Sequence, residues 1–185
     1  ARAALEHGRE SYGLAQLLRY EELTRGNETY LWYFPDGRPS SIETSTSPDA
    51  SPTDGWGSSA MLYALLEGLA GVVDRSSLFR DLRLSPRWIA AGCSDVSVTV
   101  SYAASGAGVS YEYHHDAAKK MIALGIRAKS DVEMHLLLPP RARARSVTAS
   151  GKSVRWAEAR VEESRYVDAR FPVRGRSEIT VRYDQ

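Results

Sequence analysis

Residues 47–74 constrain the fold of this chain more than any other segment. Two prolines keep the first part of the segment out of helix and sheet, and residues 58–74 then predict a helix. Apolar side chains point to every side of this helix, and only Glu67 and Asp74 are charged. A surface helix has one apolar stripe, so a helix that is apolar all round predicts burial. At roughly 16 residues, interrupted by two glycines, it is shorter than the ~20 apolar residues that span a bilayer.

The rest of the chain offers little to surround a buried helix. Residues 3–25 predict one amphipathic helix that ends at Gly26 and Asn27, and the sequence after residue 74 predicts strands. We therefore expect the chain to be the C-terminal part of a larger all-helical domain, followed by a β domain. The first residue, Ala1, is not a methionine and fits this expectation.

The second half of the chain has the pattern of an antiparallel β-sandwich. Residues 96–102 alternate valine or tyrosine with serine or threonine, which is typical of a half-buried strand. Strands are predicted at 96–102, 109–113, 121–128, 132–138, 145–149, 154–156, 166–173 and 179–183. Turns are predicted between them, among others at 129–131 and 174–176. The predicted class is α+β, with a helical part at 1–80 and a β-sandwich at 81–185.

Composition and motifs narrow the functional classes. The net charge of +1 gives no global attraction to nucleic acid or to a membrane surface, and the single cysteine excludes an internal disulfide. The sequence has no phosphate loop and no Gly-x-Gly-x-x-Gly motif, so it predicts no cofactor. His114, His115 and Asp116 could suggest a metal site. Adjacent residues of a strand point to opposite faces, however, and no second cluster adds ligands, so a turn is the preferred interpretation.

Several motifs together resemble the C-terminal end of six-hairpin glycosidases. The motifs include DGWGSSA, EGLAGV and LSPRW, and they lie at 54–60, 67–72, 84–88, 136–139 and 161–166. Six-hairpin glycosidases are (α/α)6-toroid carbohydrate enzymes, among them the glucoamylase, trehalase, α-rhamnosidase and sugar-phosphorylase groups. The resemblance implies the terminal helices of such a toroid, followed by a jelly-roll-like β-sandwich.

The same resemblance implies where catalytic groups would lie. Inverting members use one carboxylic acid to protonate the glycosidic oxygen and one carboxylate to activate water. The base would lie in the loop 27–57, with Glu43 and Asp54 as candidates, and the acid would lie on sequence upstream of Ala1. Asp54 is equally suited to capping the helix that follows it. Relatives commonly have a glutamate after the tryptophan of a T-x-x-W-E segment, but here Tyr33 follows the tryptophan.

Candidate substrate-binding residues lie in and beside the same loop. Flat aromatic faces stack on the apolar face of a sugar, so Trp32 and Trp56 are predicted contacts, and Asp49 is a predicted polar contact. Their alternative roles are core packing for the tryptophans and a turn for Asp49. The expected partners are a carbohydrate and the rest of the toroid, or another chain that completes it, and the isolated chain is expected to be inactive.

Two other functions remain open. In the first, the β-sandwich is a non-catalytic module that binds carbohydrate or a protein partner, and Trp156 would then matter more than Trp56. In the second, the chain is a structural subunit that another chain completes.

Overall fold

The computed structural model describes residues 1–23 and 55–184. The helices in this part of the chain are α1 (Arg2–Glu6), α2 (Glu10–Leu23), α3 (Gly55–Tyr63), a π-helical segment (Ala64–Leu69) and a 3-10 turn (Trp88–Ala91). The strands are β1 (Val72–Asp74), β2 (Asp81–Leu84), β3 (Asp95–Ser101), β4 (Gly108–Asp116), β5 (Met121–Leu137), β6 (Arg143–Ala149), β7 (Lys152–Ser153), β8 (Trp156–Val161) and β9 (Ser164–Asp184). The described residues therefore form mainly sheet, with few helices.

The long strands β5 and β9 organise the sheet. They pair antiparallel along their whole length, from Met121 opposite Arg182 to Leu137 opposite Tyr166. At one end of this pair β4 lies beside β5, and β6 lies beside β9. At the other end β2 runs parallel to β5, and β8 lies beside β9. Each of β5 and β9 thus has one neighbouring strand at one end and a different one at the other end. The sheet forms a β-sandwich-like domain, in agreement with the sandwich part of the predicted fold class.

The turns predicted at 129–131 and 174–176 are wrong. These residues lie inside β5 and β9, where Ser130 pairs with Val173 and Ala128 pairs with Gly175. Ser130 keeps the alternation of core-facing and outward residues, whereas Arg174, Gly175 and Arg176 are all exposed. The alternation resumes at Ser177 in the same phase, so neither strand changes face. Gly175 has a φ of 112°, which accommodates the local irregularity. Polar residues and glycine thus mark an irregular point in two continuous strands.

The other β predictions differ in detail. The strand predicted at 96–102 is confirmed as β3, whose residues alternate between exposed and half-buried. The strand predicted at 154–156 is replaced by two strands, β7 and β8. The described residues contain nine strands instead of about eight, and they form one connected sheet.

The first predicted helix is divided into α1 and α2. Gly8 separates them with a φ of 72°, and a Cβ atom at this position would lie 2.3 Å from the carbonyl oxygen of Val161. A left-handed glycine ends a helix readily, and this one also lets the backbone approach the β8–β9 turn. The close approach sets the start of α2 against the sheet.

The second predicted helix ends earlier than expected. It is α-helical from Gly55 and π-helical to Leu69, and Val72–Asp74 then form β1 instead of the last helical turn. Gly71, with a φ of 70°, redirects the chain, and β1 pairs with β2 in the same sheet. The division into a helical part at 1–80 and a sandwich at 81–185 stays a prediction.

The burial predicted for this helix is not found for α3 within the described residues. None of the residues of α3 is buried there, and Trp56 and Leu62 are 76% and 55% exposed. The π-helical segment is different, because Ala64 and Leu69 pack with the α1 residue Leu5 in a small core. The described residues therefore cover one side of the segment and leave α3 largely uncovered.

Two buried charged residues join the helices to the sheet. Arg87, 1% exposed, donates from Nη1 to the carbonyl oxygens of Gly68 (2.6 Å) and Ser85 (3.1 Å). Glu10, 6% exposed, accepts a hydrogen bond from the hydroxyl of Ser164 at 2.7 Å and another from the hydroxyl of Tyr166. Buried charges are stabilised only when they are paired or hydrogen-bonded, so these contacts define the junction.

Candidate functional site

Most of the residues predicted to act on a sugar lie outside the described residues. These are the candidate bases Glu43 and Asp54 and the candidate contacts Asp49 and Trp32. Trp56 is described, and it lies on the exposed surface of α3. The predicted arrangement of these residues around a sugar stays a prediction.

The histidine pair of β4 has a structural explanation. His114 and Asp116 belong to β4, so the predicted turn is wrong. His114 Nδ1 lies 2.6 Å from Asp95, whereas His115 Nε2 lies 2.7 Å from the Tyr183 hydroxyl. Residues 1–23 and 55–184 contain no group of three His, Cys, Asp or Glu side chains that could hold a metal ion.

A groove of about 440 Å³ crosses one end of the sheet. It lies over β2, β5 and β9 and is bounded by the start of β8. We call it the sheet groove. Its ionisable lining residues are Arg83, Glu133, His135, Arg155, Asp168 and Arg170, and Trp156 lies at its edge. This set of charged groups suits recognition of a polar ligand.

Strand register brings these side chains together. Arg83 pairs with Glu133, Glu133 pairs with Arg170, and His135 pairs with Asp168. Directly opposite residues share a face of the sheet, so all five project to the side away from the core. The residues between them face the core, which fixes the polar set on the groove side.

His135 is held in one orientation. Its Nδ1 lies 2.5 Å from Oδ1 of Asp168, and its ring stacks on Tyr166 with centroids 3.9 Å apart and planes 10° apart. Burial, together with the hydrogen bond to Glu10, raises the pKa of Tyr166 above its usual value, so its hydroxyl remains a donor at neutral pH. The stack therefore links the sheet groove to the helix junction through fixed groups.

The groove is equipped for binding more clearly than for covalent catalysis. Among the described residues no serine, threonine or cysteine lines it, so the pair His135–Asp168 has no such hydroxyl or thiol there to activate. Trp156 is half-buried and packs against the sandwich core, and its strand partner Ala169 faces that core, so the register places the indole on the face opposite the polar set.

A second surface feature lies on the helices. Besides Trp56 and Leu62, the side chains of Tyr63 and Leu18 are 50% and 59% exposed, and a cavity of about 500 Å³ lies between α1, α2 and α3. We call this surface the helix face. Large contiguous apolar surfaces mark interaction sites in soluble proteins. No helix in the described residues combines the length and apolarity needed to cross a membrane.

Comparison with known proteins supports the sheet architecture. No family model matches the sequence, and no curated protein matches it significantly. Among solved structures, the chain is similar to an α-L-rhamnosidase from Dictyoglumus thermophilum, with 13% identity and a TM-score of 0.50 over 72% of this chain. It is also similar, with 17% identity and a TM-score of 0.41 over 57% of this chain, to a protein from Listeria monocytogenes EGD-e in complex with glucose, magnesium and calcium.

These matches concern a small part of the other proteins. The chain covers 14% of the rhamnosidase and 11% of the Listeria protein. At 13% identity the likeness to the rhamnosidase shows the fold alone. A glycoside hydrolase is thus among the structural neighbours of this chain, and the toroid remains a proposal.

The sheet groove was not predicted from the sequence. Its signal is the polar side chain at every second position of three strands, as in Glu133 and His135 on β5 and Asp168 and Arg170 on β9. Such alternation is equally typical of a solvated sheet face. Only the register shows that these positions meet on one face of the sheet.

Proposed function

We propose that the chain is the C-terminal portion of a glycoside hydrolase-like, carbohydrate-active protein. In this proposal α2, α3 and the π-helical segment are the last helices of an (α/α)6 toroid, and the sheet is the β-sandwich that follows it. The observation that carries the proposal is the helix face, where an all-round apolar helix is left uncovered by the described residues. The fold likeness to part of an α-L-rhamnosidase supports it.

The proposal assigns roles to the loop before α3. Glu43 or Asp54 would serve as the base, and Trp32, Asp49 and Trp56 would contact the sugar. The general acid would come from an earlier hairpin, and the chain alone would lack most of the pocket. We therefore expect no turnover of aryl glycosides by purified residues 1–185.

Complementation tests the proposal. The polypeptide encoded directly upstream of Ala1 is produced separately and mixed with residues 1–185. Size-exclusion chromatography measures assembly of the two parts. Hydrolysis of an aryl rhamnoside and of an aryl glucoside measures activity. We expect a 1:1 complex that hydrolyses a substrate which neither part hydrolyses alone. Leu62→Glu should abolish assembly, because it places a charge in the proposed helix interface.

A matched control uses a leucine of similar exposure on the sheet side. Leu78, 45% exposed in the connection between β1 and β2, lies away from the helix face, so Leu78→Glu should leave assembly unchanged. An upstream frame without helix hairpins, or a complex that tolerates Leu62→Glu, contradicts the proposal. Hydrolysis by residues 1–185 alone contradicts the expected inactivity.

A second candidate function is carbohydrate binding by the sandwich itself. The hydrogen-bonding side chains of the sheet groove, among them His135 and Asp168, favour it, since such groups can bind sugar hydroxyls. A glycan array probed with the wild type and with Trp156→Ala and Trp56→Ala separates the two candidates. Loss of signal only with Trp156→Ala favours the sandwich, whereas loss only with Trp56→Ala favours the toroid side.

A further inference from the structure

We propose that strand β3 is a dimerisation edge, at which two copies of this chain pair antiparallel and join their sheets into one. This inference does not depend on the carbohydrate function proposed above. It is carried by the free edge of β3 and by a residue pattern that is complementary to itself.

Among the described strands, β3 is the longest that has a single partner. It pairs with β4 alone, whereas β1 and β7, which also have one partner, contain only three and two residues. The single partner of β8 is β9, and β8 carries Glu158 and Arg160 along its length. Natural edge strands avoid pairing with other chains by being short, charged, proline-containing or bulged. The seven residues of β3 have none of these protections, since their one charged residue, Asp95, stands at the first position.

The hydrogen bonds beyond each end of β3 show which of its backbone groups are free. The N–H of His115 donates to the carbonyl oxygen of Ser94 at 2.7 Å, and the N–H of Tyr102 donates to that of Ala107 at 2.9 Å. Hydrogen-bonded pairs alternate with non-hydrogen-bonded pairs along an antiparallel ladder, so the even-numbered residues of β3 bond to β4. The N–H and C=O groups of the odd-numbered residues therefore point to the free edge, and these residues are the exposed ones.

The sequence of β3 is complementary to itself about Val98. If two copies pair antiparallel with this residue at the centre, valines meet valines and the central hydroxyl residues meet each other. The opposite pairs are Val98 with Val98, Val96 with Val100, Ser97 with Thr99 and Asp95 with Ser101. Odd-numbered residues thus meet odd-numbered residues, so the free N–H and C=O groups of one copy lie opposite those of the other. No like charges are opposed, and pairs of β-branched and hydroxyl side chains stabilise neighbouring strands.

A second copy suits this edge better than an unrelated strand does. A two-fold pair uses the same edge of both copies, so it closes as a dimer and leaves no β3 edge free for a third copy. The three valines of β3 are half-buried and pack against the sandwich core, and pairing would cover their remaining exposed surface. An unrelated strand would gain nothing from the internal symmetry of β3.

Sedimentation equilibrium of residues 1–185 tests the dimer. We expect a monomer–dimer equilibrium with a Kd of roughly 10–100 μM, because the pairing of two strands buries less surface than a standard interface. Thr99→Pro removes an N–H that points to the free edge and leaves the bonds to β4 in place. It should weaken the dimer at least about thirtyfold, since it acts at two symmetric positions. Thr99→Ala, the matched control, keeps this N–H and should change the Kd by less than about fivefold.

Disulfide trapping tests the register. All variants carry Cys93→Ser, which removes the native thiol. Opposite residues of a non-hydrogen-bonded pair have Cα atoms about 4.5 Å apart, so Val98→Cys should form a covalent dimer on oxidation with copper phenanthroline. Val96→Cys is the matched control, because its Cα would lie about 13 Å from the same atom of the second copy. A mixture of Val96→Cys and Val100→Cys should be linked again, as seen on non-reducing gels.

The outcomes decide the proposal. A chain that stays monomeric at roughly 500 μM would overturn it, and so would open-ended assembly beyond the dimer. A dimer that tolerates Thr99→Pro and is abolished by Leu62→Glu would place the interface on the helix face and overturn the assignment to β3. Equal trapping of Val96→Cys and Val98→Cys would overturn the register. Urea unfolding verifies that each variant is folded, and if Thr99→Pro is not, the cysteine variants decide alone.

Discussion

Gly71 allows a direct test of how the helices meet the sheet. Its φ is 70°, and a Cβ atom there would lie 1.9 Å from the carbonyl oxygen of Ser85. The carbonyl oxygen of Gly71 also accepts a hydrogen bond from the Ser85 N–H at 2.7 Å. Gly71→Ala would thus strain the backbone and force apart the two segments that connect the helices to β1 and β2.

The expected cost follows from these contacts. A non-glycine residue in the left-handed region costs about 1–2 kcal/mol. Relief of the overlap requires a backbone shift, since the obstacle is main chain, and overpacking of this kind costs about 1–3 kcal/mol. Loss of the hydrogen bond from Ser85 adds about 1 kcal/mol. We expect Gly71→Ala to lower the free energy of unfolding by roughly 3–6 kcal/mol, a large part of the ~5–15 kcal/mol that stabilises a domain.

Gly106→Ala is the matched control. Gly106 has a φ of 65°, but beyond its chain neighbours no atom of the described residues lies within 4 Å of the place that a Cβ would take. Gly106→Ala should therefore lower the free energy of unfolding only by its backbone strain, about 1–2 kcal/mol. Urea denaturation followed by tryptophan fluorescence measures both variants. If the two lose the same stability within about 0.5 kcal/mol, the close approach to Ser85 contributes nothing and the reasoning is wrong.

Two more predictions concern buried polar groups. In a double-mutant cycle, Glu10→Ala and Tyr166→Phe should be coupled by about 1–3 kcal/mol, because each removes one partner of a buried hydrogen bond. Urea denaturation measures the loss of stability in each variant. If the losses in the two single variants add up to the loss in the double variant, the hydrogen bond is contradicted. Burial lowers the pKa of His115 below its ordinary 6.5, so the unfolded state binds the proton more readily. Stability should therefore be fully present above about pH 6.5 and decline as the pH falls through the folded-state pKa, and the decline should be smaller in His115→Gln. A wild-type profile that is flat between about pH 7.5 and 5 would contradict this assignment.

The sequence predicts which residues form strands better than it predicts how far the longest strands continue. Period-2 alternation located β3 and the start of β4, since it records which side chains face the core. The same alternation continues through Ser130 and resumes in the same phase after the exposed Gly175, yet serine, glycine and charged neighbours are also typical of turns. Local composition could not distinguish a turn from an irregular point in a long strand, because the deciding factor is the pairing of β5 with β9.

Tertiary contacts also decide the helix boundaries. The predicted helix to Asp74 continued the apolar pattern through two glycines, but Gly71 adopts a left-handed conformation in order to pack against Ser85. Gly8 interrupts the first helix in the same way, at its contact with Val161. Both helix breaks depend on contacts with residues outside the helix itself, so a local sequence pattern cannot predict them.

The helix face and the sheet groove are separate surfaces joined by one rigid junction. Tyr166 contributes to both sides of it, since its ring stacks on His135 beside the groove and its hydroxyl bonds to Glu10 at the start of α2. Arg87 lies near the same ring, 5.8 Å from its centroid, and binds the backbone of the π-helical segment. If the helix face completes a toroid, this junction fixes the position of the groove relative to the catalytic domain. Any ligand held in the groove would then lie at a constant distance from the toroid, which a flexible linker could not provide.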